Sequence, residues 1–183
     1  GTAIMNRLFH SYQPFKGAIA GRVQGVLLSN GSGEAVAYAM FNLEDRGPMM
    51  IEPGEKVLDL GCGDGELLRH LMTVRQVQGY GVENDPDKLL GSVKNGVNVI
   101  QMDLEKGLVG LEDGFFDHVI MSLSLQAMHN TQGILHEMLR VGREGIVTFP
   151  NFGYWRHRLA ILRGRMPVSE SLPYQWFDTP NIH

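Results

Sequence analysis

The sequence predicts an open α/β fold, a mostly parallel, doubly wound sheet with helices on both faces. Three observations carry that expectation. After Gly47-Pro48, short apolar strand runs alternate with helical segments. A glycine-rich turn with Gly61, Gly63 and Gly65 joins the first of these strands to the first helix. One later strand ends on Glu83 and another is followed by Asp103, the positions at which open α/β sheets receive ligands.

The elements follow in order. Lys56 to Leu60 reads as the first strand of this part. Gly65 to Thr73 reads as a short helix with Leu67, Leu68, Leu71 and Met72 on its apolar stripe. Gln78 to Glu83 is a second strand. Asp85-Pro86-Asp87 opens a helix, with an aspartate cap and proline just inside. Val97 to Met102 is a third strand. Phe116 to Ser122, with Val119-Ile120-Met121 at its centre, reads as a central strand buried on both faces. Asn130 to Val141 is an amphipathic helix with Ile134, Leu135, Met138 and Leu139 inward. Gly145 to Phe149 is a fifth strand, ended by Pro150.

Residues 1–48 read differently from residues 49–183. Val23 to Leu28 and Glu34 to Phe41 flank Ser29-Asn30-Gly31-Ser32-Gly33, a β-hairpin signal. An isolated hairpin is marginal in water, so it must pack on the α/β unit, join a partner, or stay poorly ordered. Met49 and Met50 stand directly before the α/β part, which leaves open whether all of the extension belongs to the functional unit. Five α/β strands are legible, and no edge hairpin follows the fifth. The chain therefore reads as C-terminally truncated, with the fifth strand an exposed edge unless another segment covers it.

Bulk composition narrows the function classes. The 183 residues suit one domain of ordinary size with a real core. A net charge of −4 gives no general attraction to nucleic acid or anionic membrane. No apolar run approaches the ~20 residues that span a bilayer. The single cysteine, Cys62, excludes an intrachain disulfide and points to a reducing, cytoplasmic setting. Within the glycine turn Cys62 reads as a small residue filling a tight space rather than a reactive thiol.

The glycine turn reads as a nucleoside site. Glycine lets a ligand approach backbone directly, and the helix start offers free N–H groups. A dinucleotide fingerprint would place its third glycine where Glu66 stands, which disfavours a nicotinamide enzyme. Instead Asp59-Leu60-Gly61-Cys62-Gly63-Asp64-Gly65 resembles motif I of the class I S-adenosylmethionine (SAM) methyltransferases, a Rossmann-like fold. Glu83, eighteen residues past Gly65, suits the ribose hydroxyls. Asp103 suits an exocyclic amine while Leu104 packs on the ring. Asp59 and Asp64 flank the glycines, where carboxylates complement a cationic ligand. Asp59 reads equally well as an acceptor for loop N–H groups. The cofactor-binding set is Asp59, Gly61, Gly63, Asp64, Gly65, Glu83, Asp103 and Leu104; no metal set is visible.

Methyl transfer from an activated sulfonium depends chiefly on positioning, so catalytic side chains need not stand out. The acceptor side falls to Ser122, Ser124, Gln126 and His129 after the fourth strand, and to Asn151–Arg158 after the fifth. His129 and His157 read as possible bases or as surface and structural histidines. Tyr154 and Trp155 read as an acceptor wall, core packing, or a partner surface. Arg156, Arg158, Arg163 and Arg165 surround Leu159, Ile161 and Leu162, the pattern of an amphipathic helix with a basic face or of an anion-recognising patch.

The longer strings are more specific. Gly79-Tyr80-Gly81-Val82-Glu83, Gln101-Met102-Asp103-Leu104, Phe149-Pro150-Asn151-Phe152-Gly153-Tyr154-Trp155 and Leu172-Pro173-Tyr174-Gln175-Trp176-Phe177-Asp178-Thr179-Pro180-Asn181-Ile182-His183 follow the glycine turn. Together they resemble the MetW family of bacterial methionine biosynthesis proteins over about residues 51–183. The resemblance implies a methyltransferase-like protein of methionine synthesis with SAM as cofactor, acting beside homoserine O-acyltransferase. It leaves two classes open: an enzyme methylating a small molecule or protein, and a non-catalytic accessory or regulatory partner of the acyltransferase.

Overall fold

The computed structural model describes residues 51–150 and 155–165, together with the strands at 22–29 and 35–42. Seven strands form one sheet: β1 (Arg22–Ser29), β2 (Ala35–Asn42), β3 (Lys56–Leu60), β4 (Gln78–Glu83), β5 (Asn98–Gln101), β6 (Phe116–Ser122) and β7 (Gly142–Pro150). Among the described residues, four α-helices accompany them: α1 (Glu66–Arg75), α2 (Pro86–Lys94), α3 (Thr131–Val141) and α4 (Trp155–Leu162). The spatial order is β1-β2-β7-β6-β3-β4-β5. Strands β3 to β7 pair in parallel, as the alternating pattern predicts.

The expected open edge is covered. β1 and β2 form an antiparallel hairpin, and β2 lies antiparallel along β7 from Val36↔Pro150 to Asn42↔Glu144. Of the three fates open to the hairpin, packing on the α/β unit is the one adopted, by extension of the sheet itself.

Strand alternation divides the core between two faces. Leu58, Leu60, Val119 and Met121 face one side, where Ile134, Leu135, Met138 and Val141 of α3 cover them. Val57 and Ile120 face the other, against Leu68 of α1, Val77 and Val97. Truncating a fully buried leucine such as Leu58 to alanine costs about 2–5 kcal/mol in such a setting. Two details depart from the periodicity. Leu67 turns outward on α1, leaving Leu68 as that helix's buried residue. On α4 the buried residue is His157, while Leu162 is 82% exposed, so the expected apolar face is turned outward.

Polar clamps fix the loops. Asp85 caps α2 by accepting from the Asp87 and Lys88 N–H groups, and Asn130 caps α3 by accepting from Gly133. Arg140 donates to the Leu108 and Leu111 carbonyls and to Glu137 and Asp113, pinning 108–113 to α3. His118, buried at the start of β6, lies between Glu55 at 2.8 Å and Glu144 at 3.2 Å. That cluster ties three elements together at the end of the sheet away from the glycine turn.

Candidate functional site

The strand order reverses between β3 and β6: the chain runs outward from β3 to β5, then returns to β6 on β3's other side. Ligands of open α/β sheets bind at the carboxyl ends of strands at such a switch point. The glycine turn lies there. A Cβ on Gly61 would stand 2.8 Å from Ser124 Oγ, so the turns after β3 and β6 are in contact.

The turn is held by backbone and by α2. Gly61 and Cys62 both donate to the Val82 carbonyl, at 2.8 and 3.1 Å. Ser92 Oγ donates to the Gly63 carbonyl at 2.8 Å, and Asn95 Nδ2 to the Asp64 carbonyl at 2.7 Å. Cys62 is buried, its Sγ 3.6 Å from Ser92 Oγ and close against Gly81, where any Cβ would collide with it. Burial pushes its thiol pKa upward. Cys62 therefore fills space, as its sequence context suggests.

Gly63 takes φ +56°, and an added Cβ would have no atom within 4 Å. The space beside Gly63 is therefore open. Glu83 borders it. One oxygen accepts from the Gly63 N–H at 2.9 Å, the other from Asn84 at 2.8 Å and Asp85 at 3.0 Å. Three backbone donors fix this carboxylate while leaving part of its roughly four-site acceptor capacity free.

Asp59 is 2% exposed and its Oδ1 accepts no hydrogen bond. The Gly61 and Cys62 N–H groups go to the Val82 carbonyl, that of Gly63 to Glu83 and that of Gly65 to the Cys62 carbonyl, which removes the reading of Asp59 as their acceptor. Burial first, and the nearby Glu83 second, push its carboxyl up to about 7. An unpaired acid at the bottom of the glycine turn is costly unless something cationic or hydrogen-bonding meets it.

The remaining expected residues divide. Asp103 caps the short turn Leu104–Lys106 through the Glu105 N–H, and Leu104 packs on the core beside Met102. The Met102 N–H donates to the Glu83 carbonyl, which places this turn beside the end of β4. Asp64 is exposed, and its carboxylate rests against Gly91 of α2 rather than beside Asp59 and Glu83. Gly65, at φ +74°, packs against Ser92 and Val97.

On the acceptor side, Ser122 Oγ lies 3.0 Å from Thr148 Oγ1, and Ser124 Oγ donates to the Ser122 carbonyl. Leu123 between them takes φ +53°, a conformation rare for a branched residue. Thr148 holds it, through both its carbonyl and its hydroxyl, by the Leu123 N–H. His129 is exposed, its N–H bound to Glu105, and His157 is buried in α4. Tyr154, the Gln126 side chain and residues 166–183 lie outside the described residues. Ser92, Asn95 and Thr148 were not singled out from sequence. Ser92 gave a weak signal, a small polar residue three positions after Leu89 on the inward stripe of α2.

The model of the family "Methionine biosynthesis protein MetW" matches residues 47–183. The chain belongs to the MetW family. A curated relative, the bifunctional methionine biosynthesis protein MetXA/MetW of Rhodopirellula baltica, is 38% identical over 77% of this chain. The chain spans 24% of that relative's length. A crystal structure of a SAM-dependent methyltransferase from Thermotoga maritima, a possible histamine N-methyltransferase, superposes with a TM-score of 0.51 at 21% identity, covering 61% of this chain and 52% of its own. That likeness establishes the class I methyltransferase-like fold. A second model, of the TypA/BipA C-terminal domain, matches residues 24–61. The large ribosomal subunit assembly factor BipA of Bacillus subtilis is 45% identical over 32% of this chain and 10% of its own length. The hairpin thus precedes the MetW match and shares its sequence pattern with another family.

Proposed function

We propose that this MetW-family chain binds S-adenosylmethionine at the switch point between β3 and β6. The observation that carries the reading is Asp59, a buried carboxyl group with an unpartnered oxygen beneath a glycine turn that is open at Gly63. These residues fit the ligand's chemistry: Gly61 and Gly63 present backbone, Asp59 offers an acceptor to a cationic group, and Glu83 offers a fixed carboxylate to hydroxyls. Asp103 and Leu104 stand beside the end of β4 for the base. Asp64 and Gly65 shape the turn. The bound group would supply an activated methyl on sulfonium; the chain's part is to orient it and exclude water.

Calorimetric titration with SAM and with S-adenosylhomocysteine tests the proposal. Saturable binding of either supports it, and binding of neither refutes it. A second reading is favoured by the fused relative, in which a MetXA part and a MetW part share one polypeptide. In it, the chain serves homoserine O-acyltransferase by contact, with the adenosyl ligand as a signal of methionine supply. Co-purification with the acyltransferase that changes on adding SAM supports this role. Methylation of an acceptor without that association overturns it.

A further inference from the structure

Asp59 lies at the base of the glycine turn, 2% exposed, and its Oδ1 accepts no hydrogen bond. Among the described residues its surroundings supply no counter-charge. In the sheet it pairs with Gly81 of β4 and Ile120 of β6, neither of which ionises. Its titratable neighbours are the buried Cys62 thiol in the turn and, at the end of β4, a second acid, Glu83. Asp64, also in the turn, lies against Gly91 instead. Toward the sheet α1 buries Leu68 and α2 buries Ser92. The charged side chains Glu66, Arg69, His70 and Arg75 of α1 and Asp87, Lys88 and Lys94 of α2 are all exposed. The turn after β6 brings the neutral Ser122 and Ser124. None of the ion pairs among the described residues includes Asp59.

A buried carboxylate beside another acid, with no cation to meet it, is the disfavoured form of the group. The free protein accordingly holds the Asp59 proton to about pH 7. The turn above it is open at Gly63. S-adenosylmethionine carries a sulfonium and an ammonium, the counter-charge that these residues do not provide. We propose that the site takes up this ligand by proton exchange. As the cationic part of the ligand enters, the Asp59 O–H bond breaks, its proton passes to solvent, and the carboxylate left behind pairs with the cation. This rests on the ligand reading above and deepens it. One positive charge enters as another leaves, so the net charge of the buried turn is unchanged and neither ion is buried alone. The exchange also has a sign: binding that releases a proton strengthens as pH rises, up to the point at which free Asp59 is already ionised.

Calorimetric titration of the full chain with SAM at pH 6, in two buffers of different ionisation enthalpy, counts the protons released. About one per bound ligand is expected, because Asp59 is mostly protonated in the free protein at that pH. Affinity should rise about tenfold from pH 5.5 to pH 7.0, a range in which an α-amino group stays largely charged. Adenosine, which has the base and the sugar but no cation, should release none. Asp59→Asn should abolish both the proton release and the rise in affinity. The comparison of SAM with adenosine on the unaltered chain keeps the test decisive if that variant fails to fold. Saturable SAM binding with an enthalpy independent of buffer overturns the exchange and leaves the ligand site standing. Proton release on adding adenosine, or from the Asp59→Asn protein, overturns it as well. No binding of SAM at any pH overturns the ligand reading, and the exchange with it.

Discussion

Replacing Asp59 by asparagine tests the candidate site without disturbing the backbone of the glycine turn. Asp59 is buried, and its carboxyl is raised from 3.8 to about 7, by burial and then by Glu83. An unfolded chain releases this proton near pH 4. The folded chain keeps it to about pH 7, so between these values the folded state holds more protons. Stability then falls as pH rises through the window and levels off above it. The full gap is worth about 4 kcal/mol, and the portion between pH 5 and pH 8 about 2–3 kcal/mol. Asparagine cannot ionise, so its variant should lack this slope. Urea denaturation at both pH values, on both proteins, measures the difference; other titrating groups cancel in the comparison. The variant should be the more stable protein at pH 8, and it should bind SAM more weakly. Parallel stability profiles would refute the assignment of the perturbed acid to Asp59. A stabilised variant that binds SAM as tightly as before would refute its contact with the ligand.

Other perturbations follow from the same geometry. Glu83→Gln should weaken SAM binding by about 1–3 kcal/mol by calorimetry, and should lower the pH at which Asp59 titrates because a neighbouring negative charge is gone. Unchanged affinity would remove Glu83 from the site. Gly63→Val places a branched side chain at φ +56° in the open part of the turn. It should abolish SAM binding while costing about 1–2 kcal/mol of stability; a folded variant that still binds tightly refutes the close-approach argument. Arg140→Met removes donors to two carbonyls and two carboxylates. It should destabilise the fold by about 1–3 kcal/mol and speed amide exchange in 108–114, with SAM affinity retained.

Sequence was most informative where one residue type answers one physical demand. The strands β3 and β6 and the glycine turn are legible because buried parallel strands are rich in apolar residues, as at Val57-Leu58 and Val119-Ile120-Met121, and because positive φ at 61, 63 and 65 favours glycine. The Asp85 and Asn130 caps follow from local hydrogen bonding alone. Other features depended on partners distant in sequence. Ser92 and Asn95 have ordinary helix composition, and only packing brings them onto the Gly63 and Asp64 carbonyls. Thr148 acts on Leu123 across two strands. On α4, His157 is the buried residue and Leu162 is exposed, an arrangement the residue spacing does not announce.

By itself, then, the sequence determined the order and type of the α/β elements, the glycine turn, and the acids at the strand ends, because each is set by short-range sterics and alternation. Tertiary structure alone decided what those acids do. Asp59 and Glu83 lie on separate strands, and their roles diverge because Glu83 takes the loop's N–H group while Asp59 is buried without one. It also decided the fate of the hairpin, since a strand edge has no local signature and is recognised only by the partner that pairs with it.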